Sequence, residues 1–172
     1  MNDLIEALKH PEYVHVLLNP IPGYILPVGL VLLSISLLRR KPELQRVSLW
    51  ILVFVGIAAW PIWYFGHQAY GHLAEALTEE AKQWANVHVQ RADRFVYSLY
   101  LTGLLGLAAI FLPRRFPRTA KPLAVTALMA GVAAFAFTIW ISRAGGEIRH
   151  SEFRTGPPPA APAHEHKSRS AH

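Results

Sequence analysis

Cysteine is absent from the 172-residue chain, which excludes disulfides, thiolate metal ligands, iron–sulfur clusters and covalent attachment of a c-type haem through a C-x-x-C-H motif. Any metal or haem then depends on histidine, methionine or oxygen ligands. Charge is scarce as well, since 16% of residues are Asp, Glu, Lys or Arg, against roughly a quarter in soluble domains. Four stretches, residues 21–38, 47–65, 95–112 and 123–142, contain no Asp, Glu, Lys, Arg or His at all. Charged or strongly polar residues inside spans mark transport pathways, so their absence argues against a transporter. The opening residues carry Asp3 and Glu6 and lack the basic start and apolar run of a signal peptide, so the mature protein is expected to keep its N-terminus. No nucleophile motif surrounds Ser98 or Ser142, which argues against a soluble-type hydrolase. Whether the protein is an enzyme stays open.

What is present is apolar, at 52% of residues. A bilayer core of about 30 Å needs roughly 20 apolar residues per helix, and each of the four uncharged stretches approaches that. The expected fold is therefore all-α, an integral membrane four-helix bundle over residues 1–154 followed by a Pro- and His-rich tail, 155–172, too poor in apolar residues to pack. The net charge is +6, yet the basic residues flank apolar runs and read as topology signals, with no nucleic acid partner implied. Arg39, Arg40, Lys41 and Arg46 form the first link, and Arg114, Arg115, Arg118 and Lys121 the third. Both are short, basic and free of histidine. By the positive-inside rule they are cytoplasmic, which places both termini and the long middle link, 66–94, outside.

Aromatic residues mark the interfaces: Trp60, Trp63 and Tyr64 at the outer end of the second span, Trp140 at the outer end of the fourth, Trp50 at an inner end. Small residues at helical spacing, Ala127 with Gly131 and Ala130 with Ala134, suit either a close helix approach or ordinary small-residue content. Thr78 followed by Glu79 and Glu80 has the pattern of an N-cap with acidic residues in the first turn. No Pro or Gly then intervenes before Gly103, so the third helix is expected to begin near Thr78, project above the membrane and enter it at about Phe95.

Nine histidines occur, at positions 10, 15, 67, 72, 88, 150, 164, 166 and 172, all on the outer side in this topology. Placement says more than number. His15 precedes the first span, His67 follows the second, and His88 and His150 each lie about two turns outside the third and fourth. In a four-helix bundle such positions converge at one level. Neutral imidazole is a common ligand for zinc, copper and haem iron, so His15, His67, His88 and His150 are the candidate ligands of a b-type haem or a single transition metal. Arg91 shares a helix face with His88, and Arg91, Arg94, Arg149 and Arg154 are placed to pair with haem propionates or another anion. The plainer alternative is that these histidines are interfacial residues satisfied by water, backbone carbonyls or neighbouring carboxylates. The tail's His164-Glu165-His166 also offers metal ligands, at an ordering cost.

The segment His10-Pro11-Glu12-Tyr13-Val14-His15 resembles the opening of the bacterial four-helix membrane proteins grouped as the domain of unknown function 2231 family, in which a His-Pro step precedes Val-His-Phe. Val16 stands here in place of the phenylalanine. The chain is also similar, over about residues 10–154, to a related uncharacterised bacterial group carrying Glu12 to Pro20, Trp60-Pro61 with Gly66 and Ala69-Tyr70, His88 with Arg91-Ala92, and Gly145-Gly146-Glu147-Ile148-Arg149-His150 with Glu152-Phe153-Arg154. The resemblance implies the four-helix fold and no established activity; the expected location is a bacterial inner membrane, with both termini periplasmic. It places His15, His88 and His150 inside recurring motifs. Some relatives are joined to cytochrome-like modules, which implies a redox setting, although fold does not fix function.

Two functions follow as expectations. In the first, the protein holds a metal or b-type haem at its periplasmic face and transfers electrons, with a periplasmic electron carrier, quinol or a membrane complex as partner. No histidine lies near the cytoplasmic surface, so a stacked haem pair spanning the membrane is not expected. In the second, it is a non-catalytic subunit or scaffold whose outer face docks a partner, with Gly145-Gly146 lending freedom to a loop.

Overall fold

The computed structural model describes residues 2–159. The metal reading of His164-Glu165-His166 lies outside the described residues, as does most of the tail; residues 155–159 form no helix or strand. A short helix α1 (Asn2–Ala7) is followed by α2 (Pro11–Leu18), α3 (Pro20–Arg39), α4 (Pro42–Leu73), α5 (Glu79–Phe111) and α6 (Ala120–Arg149). Four helical stretches, Pro11–Arg39, Pro42–Leu73, Glu79–Arg114 and Pro117–Arg149, are long and apolar enough to cross a membrane.

Proline sets several boundaries. Pro11, Pro20 and Pro42 stand at helix starts, where a missing N–H costs nothing. Pro20 has no N–H to donate, so the regular hydrogen bonding lapses between α2 and α3, although Asn19 keeps helical φ and ψ (−54°, −31°) and its N–H reaches His15 O. The turn from α3 to α4 closes through Arg40, the one non-glycine residue with positive φ among those described (53°). Lys41 N–H reaches Ser36 O at 3.0 Å, the Schellman closure in which glycine is the usual occupant. Thr78 caps α5 as its sequence predicts, its Oγ1 accepting from Ala81 N–H at 3.2 Å, with Glu79 and Glu80 in the first turn.

The long helices pack around a ring, α3 against α4 and α6, and α5 against α4 and α6. Leu26, Leu33, Leu49, Leu52 and Val55 are fully buried at its centre. The tightest approach is α4 on α5: a Cβ at Gly56 would stand 2.8 Å from the Gly103 Cα. On α6, Ala127, Gly131 and Ala134 are buried, and a Cβ at Gly131 would meet Leu30 of α3 at 2.5 Å. The close-approach reading of that small-residue stripe is therefore the applicable one. Buried hydroxyls are satisfied within their own helices, Thr102 by Ser98 O and Thr138 by Ala134 O. Large apolar side chains face outward on every long helix, among them Val31, Ile57, Leu104 and Met129. In water such a surface would aggregate; lipid is its natural solvent.

Candidate functional site

His15 and His88 sit in the same local device, built twice. His15, on α2, places Nδ1 2.9 Å from Ile62 O of α4. Its ring lies against Gly66, four residues later, where a Cβ would stand 2.9 Å from the ring Cε1. His88, on α5, places Nδ1 3.0 Å from Ile141 O of α6, and its ring lies against Gly145, where a Cβ would stand 3.2 Å away. In each case the imidazole reaches a helix carbonyl because the residue one turn on has no side chain to block it. A carbonyl oxygen only accepts, so Nδ1 carries the hydrogen in both rings and Nε2 keeps the lone pair. This is the orientation that outer hydrogen bonds impose on metal-bound histidine.

Both rings line one cavity of about 400 Å³, whose other walls are mainly apolar and include Val16, Ile62, Val96, Leu99 and Ile141. The two histidines are seated on α4 and α6, which stand diagonally in the helix ring. Glu12 and Arg149 also reach the cavity. Glu12 Oε2 is buried without a hydrogen-bond partner, and its carboxylate lies 3.5 Å from His10 Nδ1 and 3.7 Å from His72 Nδ1.

The other expected site residues are placed differently. His67 lines the cavity, but its Nδ1 lies 3.0 Å from Trp63 O and its Nε2 3.0 Å from Asp93 Oδ1. Asp93 also accepts from Trp63 Nε1 at 2.7 Å. Both ring nitrogens of His67 therefore already face oxygen atoms of the protein. His150 is exposed beyond the end of α6, stacked on Phe153, with Nδ1 3.0 Å from Glu152 Oε1. The Glu152 carboxyl is held below the usual carboxylate range by a hydrogen bond from its own backbone N–H and then by His150. Among the described residues, no group of three or more His, Asp or Glu side chains is gathered closely enough to hold a metal ion.

Of the arginines, Arg149 lines the cavity. Arg91 instead donates to Trp140 O at 3.0 Å and stacks 4.1 Å over the Trp140 ring. Arg154 donates to Glu147 O at 2.8 Å, Ile148 O at 3.1 Å and Glu80 Oε1 at 2.8 Å. It thereby satisfies the last carbonyls of α6 and ties that end to α5. Gly145 and Gly146, expected in a docking loop, are helical within α6; Gly145 admits His88 and Gly146 packs against Phe153.

Sequence reasoning missed Glu12, Gly66 and Gly145 as parts of the site. A usable signal existed: Gly66 and Gly145 lie inside long helical patterns where glycine costs about 1 kcal/mol, which asks for a packing reason. Comparison with protein-family models, with curated proteins and with solved structures finds no match for this chain.

Proposed function

We propose that this is a multi-pass protein of the bacterial inner membrane that binds one b-type haem between His15 and His88 and transfers electrons at its periplasmic face. The observation that carries the reading is the paired device: two imidazoles on diagonally opposed helices, each giving Nδ1–H to a carbonyl and so keeping the Nε2 lone pair, and both lining one mainly apolar cavity. The cavity's volume, about 400 Å³, lies within the range of roughly 300–1,000 Å³ typical of cofactor sites. A b-type haem is held by one or two axial side chains within apolar walls, which two histidines would supply, whereas a structural transition ion takes about four ligands. The haem reading therefore fits better than the single metal. Arg149, which lines the cavity, would be the cation to pair with a propionate; Arg91 and Arg154 brace the walls.

Both termini are on the periplasmic side in this proposal, because the two basic links, with Arg39, Arg40, Lys41 and Arg46 at one and Arg114, Arg115, Arg118 and Lys121 at the other, face the cytoplasm. The upper turns of α5, from Glu79 to Arg94, then stand above the bilayer and carry His88 to the outer boundary. The test is absorbance of the purified protein loaded with hemin. A Soret band that sharpens on reduction, persists in His67→Ala and His150→Ala and collapses in His15→Ala and His88→Ala supports the site. A wild-type protein that takes up no hemin removes it.

A further inference from the structure

We infer that the basic end of the bundle, opposite the cavity, is a binding surface for anionic phospholipid headgroups, independently of the haem and of the direction of insertion. The turn from α3 to α4 carries Arg39, Arg40, Lys41 and Arg46, and the link from α5 to α6 carries Arg114, Arg115, Arg118 and Lys121. Trp50, near the start of α4, meets Phe111, at the end of α5, with 6.2 Å between ring centroids, so the two links stand at one end. Between Glu12 and Glu75, and between Asp93 and Glu147, Glu43 is the only acidic residue. Eight cations against one carboxylate leave seven net positive charges there, while the rest of the chain has nine cations and ten carboxylates.

The protein does not use these charges internally. All eight are exposed, and among the described residues none makes an ion pair or a side-chain hydrogen bond. At the other end, by contrast, Lys9, Lys82, Arg143 and Arg154 pair with carboxylates and Arg91 donates to Trp140 O. What matches the basic end therefore lies outside the chain. Its depth points to lipid: Leu38, Trp50, Phe111, Leu112 and Phe116 form an exposed apolar rim, and the cations begin just beyond it. Arg46 lies four residues outward of Trp50, and Arg114 and Arg115 three and four outward of Phe111, about one helical turn or roughly 5 Å. That is the step from acyl chain to phosphate. The Arg114 guanidinium stands 4.7 Å over the Phe111 ring and that of Arg115 5.8 Å over Phe116, which anchors charge at this level. Guanidinium N–H groups match phosphate oxygens in pairs. Free phosphate would meet the charges and leave the rim uncovered, whereas a phospholipid meets both. In a zwitterionic headgroup the ammonium cancels the phosphate, so seven unpaired positive charges select the anionic class.

The test uses the full chain, without hemin, in phosphatidylcholine vesicles that contain a fixed fraction of acyl-brominated phosphatidylglycerol or of acyl-brominated phosphatidylcholine. Bromine quenches tryptophan emission on contact. Trp50 is the only tryptophan at the basic end, so the emission of the wild type less that of Trp50→Phe reports on that end alone. Brominated phosphatidylglycerol is expected to quench this component at least about threefold more effectively than brominated phosphatidylcholine. The preference is lost in about 0.5 M sodium chloride and in the triple variant Arg46→Gln, Arg114→Gln, Arg115→Gln, and it persists in inorganic phosphate at matched ionic strength. Equal quenching by the two lipids in the wild type, or a preference that survives either the salt or the triple substitution, overturns the inference. Loss of the preference in inorganic phosphate assigns the surface to the free ion and overturns it as well. The lipid comparison and the salt series need no charge variant to fold, and their outcome leaves the haem reading untouched.

Discussion

An imidazole can grip a helix carbonyl only where the next turn presents no side chain, and at Gly66 and Gly145 that condition is met. The two glycines are therefore as much part of the site as the histidines. A methyl group at Gly66 would stand 2.9 Å from the His15 ring, and because the ring is the end of a rotatable side chain, the fold survives while the ligand is displaced. Gly66→Ala is expected to weaken hemin binding about tenfold, which corresponds to roughly 1.4 kcal/mol, with little change in thermal stability. Gly71, on the same helix, has nothing within 4 Å of its notional Cβ. Gly71→Ala should leave hemin affinity alone and raise stability by roughly 0.5–1 kcal/mol through helix propensity. Hemin titration and thermal unfolding of the two variants check both statements. The histidines were legible in the sequence because a titratable ring beside an apolar run is conspicuous. Their acceptors were not, since a backbone carbonyl has no letter of its own, and Glu12 stood out only as part of the segment that carries the resemblance. The same limit put His67 and His150 on a par with His15 and His88, although an aspartate 26 residues from His67 faces one of its nitrogens and His150 stands exposed, away from the cavity.

At the scale of elements, backbone geometry decides two junctions. Arg40 holds the left-handed conformation that closes α3 onto α4. Replacing it with glycine should stabilise the protein by roughly 0.5–1 kcal/mol, the left-handed strain relieved less the entropy glycine loses on folding. The midpoint of denaturation in detergent would rise; a fall would mean that the guanidinium contributes more than the strain costs. Gly56 faces Gly103 backbone to backbone, where no rotamer change can make room. Gly56→Ala should force α4 from α5 and lower stability by about 1–3 kcal/mol, read by the same measurement. Element identities were legible from uncharged runs and from the Thr78 cap, while the helix starts at Pro11, Pro20 and Pro42 emerged only in the fold. The glycine pair at 145–146 misled because glycine permits a loop but does not require one, and packing of α6 on α5 carries the helix through it.

The whole molecule is apolar outside as well as inside, with few polar groups and nearly all of them at its two ends. That distribution is what a bilayer selects, and it was legible from composition alone, as was the all-helical class. The proposed orientation follows from the charge difference between the ends: the links at one end are basic and histidine-free, and the other end carries the cavity. A reporter active only in the cytoplasm, fused after Arg118, should be active, and one fused after Arg154 silent; the reverse pattern would invert the orientation and put the cavity on the cytoplasmic side. Shape at this scale also explains why one haem and not two is proposed, since all the described histidines gather at a single end. The proposed site would bring two nitrogens to one iron, and electron paramagnetic resonance of the ferric, hemin-loaded protein addresses that directly. Axial ligation by His15 and His88 predicts a six-coordinate low-spin signal that converts to high spin in either His15→Ala or His88→Ala and is unaffected by His150→Ala. A high-spin wild type, or a low-spin signal that survives loss of both His15 and His88, would contradict it.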